Sequence, residues 1–202
     1  MEYLVVMTTS VPDGTSQQAI DEVRTREAAH SRELASQGHL LRLWRPPLQP
    51  GEWRSLGLFA ADDGDELERV LASMPLRVWR TDEVTPLSRH PNDPVLEAGP
   101  GATEFLTTFT VTIPEGTPAQ TVEDTKAREA ERAYELAGQG HLLRLWALPR
   151  EGRSLGLWRA QDADEMQAIL KSLPLYAWMT VQTTALTRHL SDPATAKTRP
   201  TA

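Results

Sequence analysis

Two glutamates stand where apolar side chains belong. From Gln17 to Gln37 the chain has no proline or glycine, and Gly38 supplies a stop, so the sequence predicts a long helix. Its apolar stripe runs through Ile20, Val23 and Leu34, with Ala19 and Ala35 beside it, and steps of three and four from Val23 land on Glu27. In a second helix the stripe Val122, Thr125 or Lys126, Ala133 and Leu136 passes through Glu129 in the same way. A carboxylate turned toward a sheet loses solvation, and its pKa rises. Such a group can take and return a proton near neutral pH, the chemistry of a proton shuttle.

Three residues before each Glu lies a cation, Arg24 or Lys126, able to stabilise the oxygen of a developing enolate. The competing reading is a surface ion pair at i,i+3. His30, one turn beyond Glu27, is a candidate second acid–base group; its counterpart is Arg132. Arg42 and Arg144 share a strand face by alternation with Leu40 and Trp44, or Leu142 and Trp146, and are candidates to clamp a substrate carboxylate. The alternative is an edge-strand Arg packing its stem, with Trp44 and Trp146 as core or cavity wall. His39 and His141 follow helix-ending glycines and suit nearby carbonyls; His90 and His189 lie past the last strand of each copy. No His/Asp/Glu set has metal-ligand spacing, and no phosphate loop, nucleophile elbow or dinucleotide fingerprint occurs.

The elements that must position these groups are written twice. Gly38-His-Leu-Leu-Arg-Leu-Trp44 returns unchanged as Gly140 to Trp146. Ser55-Leu-Gly-Leu58 returns from Ser154, Met74-Pro75-Leu76 as Leu173-Pro174-Leu175, and Arg89-His90 as Arg188-His189. The offset is 102 residues at the front of the unit and 99 at the back, with the deletion in the loop around Pro46–Gly51. Period and punctuation predict strands over Tyr3–Ser10, Leu40–Arg45, Trp53–Ala60 and Arg77–Leu87, with the long helix and a short one from Asp62 or Asp63 to Ser73 between them. The second copy predicts strands at Glu104–Ile113, Leu142–Ala147, Ser154–Ala160 and Tyr176–Leu186, and helices at Pro118–Gln139 and Ala163–Ser172. The order βαββαβ is the ferredoxin-like motif of an α+β protein. Two such sheets in one chain are expected to cover each other face to face as a fused dimeric α+β barrel. The expected organisation is a repeat at 1–90, a linker at 91–103, a repeat at 104–192 and a flexible tail at 193–202.

Composition narrows the function. A net charge of −7 with no basic run argues against nucleic acid. The absence of cysteine removes disulfides and thiolate metal sites. The first residues read as a strand rather than a leader, and no apolar run suits a membrane span, so the expectation is a cytoplasmic protein with a small-molecule partner.

The strand with Met7, the helix ending Glu33-Leu-Ala-Ser-Gln-Gly38, then Leu43-Trp44-Arg45, Ser55, the Leu-Pro-Leu type turn and Arg89-His90-Pro91 together resemble the muconolactone Δ-isomerases. Both halves match. The resemblance implies a cofactor-free, ferredoxin-like enzyme that moves a proton within an unsaturated lactone and assembles into a larger ring of subunits. It implies proton transfer by a Lys and a Glu three residues apart, which are Lys126 and Glu129, answered by Arg24 and Glu27. The family's Arg is kept as Arg45, with Ala147 in the other copy. Two further readings stay open: a cyclase or lyase acting on a polyketide-like intermediate, and a non-catalytic small-molecule binding protein.

Overall fold

Alternation along the first strand sets one face of a sheet: in β1 (Glu2–Thr9) Tyr3, Val5, Met7 and Thr9 are buried and the residues between them are not. The computed structural model describes residues 1–96 and 102–196. Helix α1 (Gln17–Ser36) starts where the Ser16 hydroxyl accepts from the Ala19 N–H and stops at Gly38, whose φ of 83° suits glycine. It is followed by β2 (Leu40–Arg45), β3 (Arg54–Ala60), α2 (Gly64–Ser73, capped by Asp63), a 3-10 turn (Pro75–Trp79) and β4 (Arg80–Arg89). The second copy gives β5 (Thr103–Val111), α3 (Ala119–Gly138), β6 (Leu142–Ala147), β7 (Arg153–Ala160), α4 (Ala163–Lys171), a 3-10 turn (Tyr176–Trp178) and β8 (Met179–Arg188). The α+β class and the ferredoxin-like order are as the sequence predicts.

Contacts divide the chain into two units. Unit 1 holds Met1–Leu87 with the segment from Thr187 onward, and unit 2 holds Ser88–Leu186. In unit 1 the antiparallel order is β4-β1-β3-β2, and the last two residues of β8 pair with Trp44 and Arg45. In unit 2 the order is β8-β5-β7-β6, and Ser88 and Arg89 pair with Ala147 and Trp146. So each unit ends on the Arg-His segment written at the close of the other repeat. Sequence repeats alone do not reveal that exchange.

Each unit has its own core. Leu34, Leu40, Phe59 and Leu71 anchor the first, and Leu136, Leu142, Trp158 and Met166 the second. The repeated Ser-Leu-Gly-Leu has a steric cause. A Cβ at Gly57 would lie 2.4 Å from the Phe59 ring, and one at Gly156 only 2.2 Å from Trp158 Nε1. Glycine is the residue that lets each ring lie over its own strand.

Several expected boundaries shift. The strand expected from Arg77 begins at Arg80, and the one expected from Tyr176 begins at Met179. The intervening residues form 3-10 turns, because Pro75 and Pro174 open a tight turn that buries Leu76 and Leu175. Of the stretch expected as a linker, Asp93 is buried and the Leu96 N–H donates to the Leu143 carbonyl at 2.9 Å; residues 97–101 lie outside the described residues. Of the expected tail, Pro193–Ala196 form a short helix, α5, and residues 197–202 lie outside the described residues.

Candidate active site

The long helices bring the two glutamates to cavity walls. Val23, Ser31 and Leu34 of α1 are buried, and Glu27 falls on the same stripe with only 13% of its side chain exposed. It lines a cavity of about 570 Å³ in unit 1. In α3 the buried residues are Thr125, Ala133, Leu136 and Ala137, so Thr125 rather than Lys126 takes the inward place. Glu129 lines a cavity of about 720 Å³ in unit 2.

The 3-10 turn in unit 1, and the residue that caps it in unit 2, supply the partner of each carboxylate. The Leu76 N–H donates to Glu27 Oε2 at 2.8 Å, and the Leu175 N–H to Glu129 Oε2 at 2.9 Å. Burial pushes both carboxyls above the usual Glu range, and the backbone hydrogen bond partly offsets it. Beyond that the copies differ. Arg80 Nη1 lies 3.4 Å from Glu27 Oε1, and the same guanidinium donates from Nη2 to Asp82 Oδ2 at 3.0 Å. In unit 2 the places of Arg80 and Asp82 are held by Met179 and Val181. Among the described residues, Glu129 therefore has the Leu175 amide beside it and no counterpart of the Arg80 guanidinium.

The flanking cations also line the cavities, without pairing to the glutamates. Arg24 is 3.9 Å from Asp21 and sits over the Trp53 ring, 5.6 Å from its centroid. Lys126 donates to Glu123 at 3.2 Å, with half its side chain exposed. The surface pairs Arg24–Glu27 and Lys126–Glu129 do not form among the described contacts.

His90 and His189 are functional candidates that the sequence reading left past the last strand. Both line the cavities, His189 in unit 1 and His90 in unit 2. The Ser191 N–H donates to His189 Nδ1 and the Asn92 N–H to His90 Nδ1, each at 3.1 Å. A neutral ring that accepts at Nδ1 carries its proton on Nε2. Burial holds both imidazoles below the ordinary histidine range; for His189, burial, Arg45 and Arg24 outweigh Asp192 and bring the pKa to about 4. Arg45 Nη2 stands 3.4 Å from His189 Nε2, a donor beside a donor, on the wall of the same cavity. The recurrence of Arg-His at the end of both copies was the available signal. The Arg80/Met179 mismatch was equally visible, but only a structure shows that it lies beside the carboxylate.

Four expected binding residues are corrected. Arg42, expected as a substrate clamp, is engaged within the chain: its Nε and Nη2 both donate to Asp192, each at 3.1 Å, and its guanidinium lies 4.7 Å over the Trp44 ring. Arg144 does the same with Asp93, each bond at 3.2 Å, over Trp146. The buried carboxylates also accept the Leu43 and Leu145 N–H groups. Trp44 and Trp146 are buried beneath these arginines and line neither cavity. The register shift between Leu40 and Arg42, and between Leu142 and Arg144, breaks simple alternation and lets this packing form. The repeated heptapeptide is thus a latch for the segment after each Arg-His.

His30 is corrected too. Its ring nitrogens meet Glu33 at 3.0 Å and Ser73 at 2.7 Å, and it does not line the cavity. Arg132 makes the matching contacts with Glu135 and Ser172, so this position ties the long helix to the end of the short one in both copies. His39 and His141 meet the Ala60 and Arg159 carbonyls through Nδ1, on strands rather than at the helix end. Among the described residues no cluster of three or more His, Asp or Glu could hold a metal ion, and no helix is long and apolar enough to cross a membrane.

Comparison with known proteins identifies the family of both repeats. The sequence pattern of the family described as muconolactone delta-isomerase matches residues 1–93 and again 103–192. Muconolactone Delta-isomerase 1 of Acinetobacter lwoffii is 34% identical over 92 residues, 46% of this chain and 93% of that protein. The Cupriavidus pinatubonensis muconolactone Delta-isomerase is 32% identical over 92 residues, 46% of this chain and 97% of that protein. Each relative therefore has the length of one repeat. A mutant chlorite dismutase from Candidatus Nitrospira defluvii shares the fold alone, with a TM-score of 0.63 at 12% identity over 97% of this chain and 94% of its own.

Proposed function

Since the chain belongs to the muconolactone delta-isomerase family, a family of isomerases, we propose that it moves a proton adjacent to a carbonyl in an unsaturated lactone or a related conjugated compound, without a cofactor. Glu129 in its ionised form removes a proton from one end of the conjugated system, the carbon next to the carbonyl in a β,γ-unsaturated substrate or the γ carbon in an α,β-unsaturated one. The C–H electron pair passes into the conjugated system, and negative charge gathers on the carbonyl oxygen. Lys126 and the His90 Nε2–H stabilise that oxygen. The Glu129 carboxylic acid then returns the same proton to the far carbon, so a double bond moves and no atom is gained or lost. Glu27, with Arg24 and the His189 Nε2–H, does the same in unit 1.

The observation that carries this reading is a carboxyl on a cavity wall with its pKa raised by burial, present in both copies. A base whose pKa lies nearer the working pH transfers protons in both directions without a deep trap. Arg80 favours the charged form of Glu27, while among the described residues Glu129 has no such partner, so Glu129 is the more effective shuttle.

The test uses a neutral γ-alkyl butenolide for unit 2 and muconolactone, a carboxylate, for unit 1, in deuterated buffer, with isomerisation and deuterium uptake followed by NMR. Glu129→Gln should lower kcat by roughly two to four orders of magnitude in the unit-2 site, the usual worth of a positioned base. Glu27→Gln should remove the remaining turnover. Full rate in both single variants and in the double variant would make the glutamates bystanders and end the reading.

A further inference from the structure

The two cavities do not offer the same chemistry. Among the described residues, the unit-1 wall carries four arginines (Arg24, Arg32, Arg45 and Arg80) against the carboxylates of Asp21 and Glu27. The unit-2 wall carries one cation, Lys126, against Glu129 and Glu151. At matching places Thr9 becomes Val111, Ser31 becomes Ala133, Trp53 becomes Gly152 and Arg80 becomes Met179. Ala147 takes the place of Arg45, the guanidinium that stands beside the cavity histidine in unit 1. Exchanges toward apolar side chains go with a larger space, about 720 Å³ against about 570 Å³.

From this contrast we propose that the unit-2 cavity binds an uncharged, largely apolar conjugated carbonyl compound and rejects anionic ones, while unit 1 keeps the anion-tolerant site. The proposal deepens the isomerase reading by dividing its substrates between the units. An anion entering unit 2 loses water and meets the Glu129 charge, and Lys126, half exposed and already bonded to Glu123, repays little. A neutral carbonyl escapes that cost. Its rings replace water against Phe109, Trp158, Leu145 and Leu173, and the His90 Nε2–H is left to meet its oxygen.

Two probes of nearly the same shape separate the cases: coumarin, a neutral conjugated lactone, and coumarin-3-carboxylate. Binding to the full chain is followed by calorimetry, so the result does not depend on turnover. A failed isomerase assay and a failed binding assay are then distinct outcomes. Ala130→Trp fills the unit-2 cavity and Ala28→Trp the unit-1 cavity. Coumarin binding should be lost in A130W and kept in A28W. In A28W the carboxylate should bind at least about tenfold more weakly than coumarin, which corresponds to about 1.4 kcal/mol. Adding Ala147→Arg to A28W should restore the carboxylate by about tenfold or more, which keeps the test alive if A130W does not fold. Equal affinity of the two probes in A28W overturns the proposal. So does coumarin binding that survives in a folded A130W, no coumarin binding at millimolar concentration, or an A147R change that leaves carboxylate affinity unmoved.

Discussion

Unit 1 and unit 2 agree where the chain holds itself together and differ where a ligand would sit. Arg42–Asp192 over Trp44 and Arg144–Asp93 over Trp146 match to within a few tenths of an ångström, and both carboxylates are fully buried. The cavity walls have exchanged arginine for methionine and alanine, tryptophan for glycine, and serine for alanine. Duplication supplies the reason. A latch that fixes the Arg-His segment is needed by both units whatever they bind, whereas a second cavity is free to change once the first exists. Along the latch, identity between the copies marks structure, and the shared Glu and His mark common chemistry; on the rest of the cavity walls, difference marks the ligand.

The largest effect should come from breaking a latch. Asp93→Ala leaves the Arg144 guanidinium and the Leu145 N–H without their shared acceptor, and Asp192→Ala does the same to Arg42 and Leu43. Removing one partner of a buried pair costs about 3–5 kcal/mol. Urea unfolding should show losses of that size and similar magnitude in both variants. If D93A and D192A differ severalfold, or either costs less than about 1 kcal/mol, the latches are not equivalent structural devices and the comparison fails at its firmest point.

Much of this was legible in the chain. The duplication, the element order and the two inward glutamates followed from repeated words and helical steps, because periodicity is written locally. The role of the repeated Arg was not legible. Alternation put Arg42 among apolar neighbours, but its acceptor lies 150 residues away at Asp192, and nothing local announces it. His30 departs from expectation for a related reason: a helical step places it near Glu27, while Ser73, 43 residues on, takes its ring. His189 and His90 were visible as repeats, yet their position beside a cavity comes from the unit exchange, which the sequence does not spell. Contacts distant in sequence decide these roles, and each unit closes on a segment from the other repeat.

A smaller and more diagnostic difference concerns acid. His189 is half-buried and neutral, with a pKa of about 4 against about 6.5 for the free side chain. Its folded pKa is depressed, so its contribution to stability is complete above about pH 6.5 and is lost as pH falls toward 4. His90 is shifted in the same direction, but only burial drives it, and Asp93 opposes. In unit 1 Arg45 and Arg24 add to burial. Thermal melts between pH 7 and 4 should therefore flatten more in His189→Asn than in His90→Asn. Equal flattening would mean that the arginines of unit 1 do not press on its histidine, and the electrostatic contrast would lose its support.

The smallest effect sharpens the core side of the comparison. Trp158 fills the place that Phe59 holds in unit 1, packs edge-on to Phe109 with centroids 6.1 Å apart, and leaves its buried indole N–H without an acceptor. An unsatisfied buried donor costs about 1–3 kcal/mol. Trp158→Phe removes that cost and copies the residue of unit 1, but it gives up part of the ring and opens some space beside the unit-2 cavity. The two terms oppose, so net stability should change by about 1 kcal/mol or less. The same variant should enlarge the cavity and weaken coumarin binding through lost ring contact. A loss well above that size in urea unfolding would mean that the indole N–H is satisfied in solution. The larger ring would then serve the stability of unit 2, and its place on the cavity wall would say nothing about what the cavity holds.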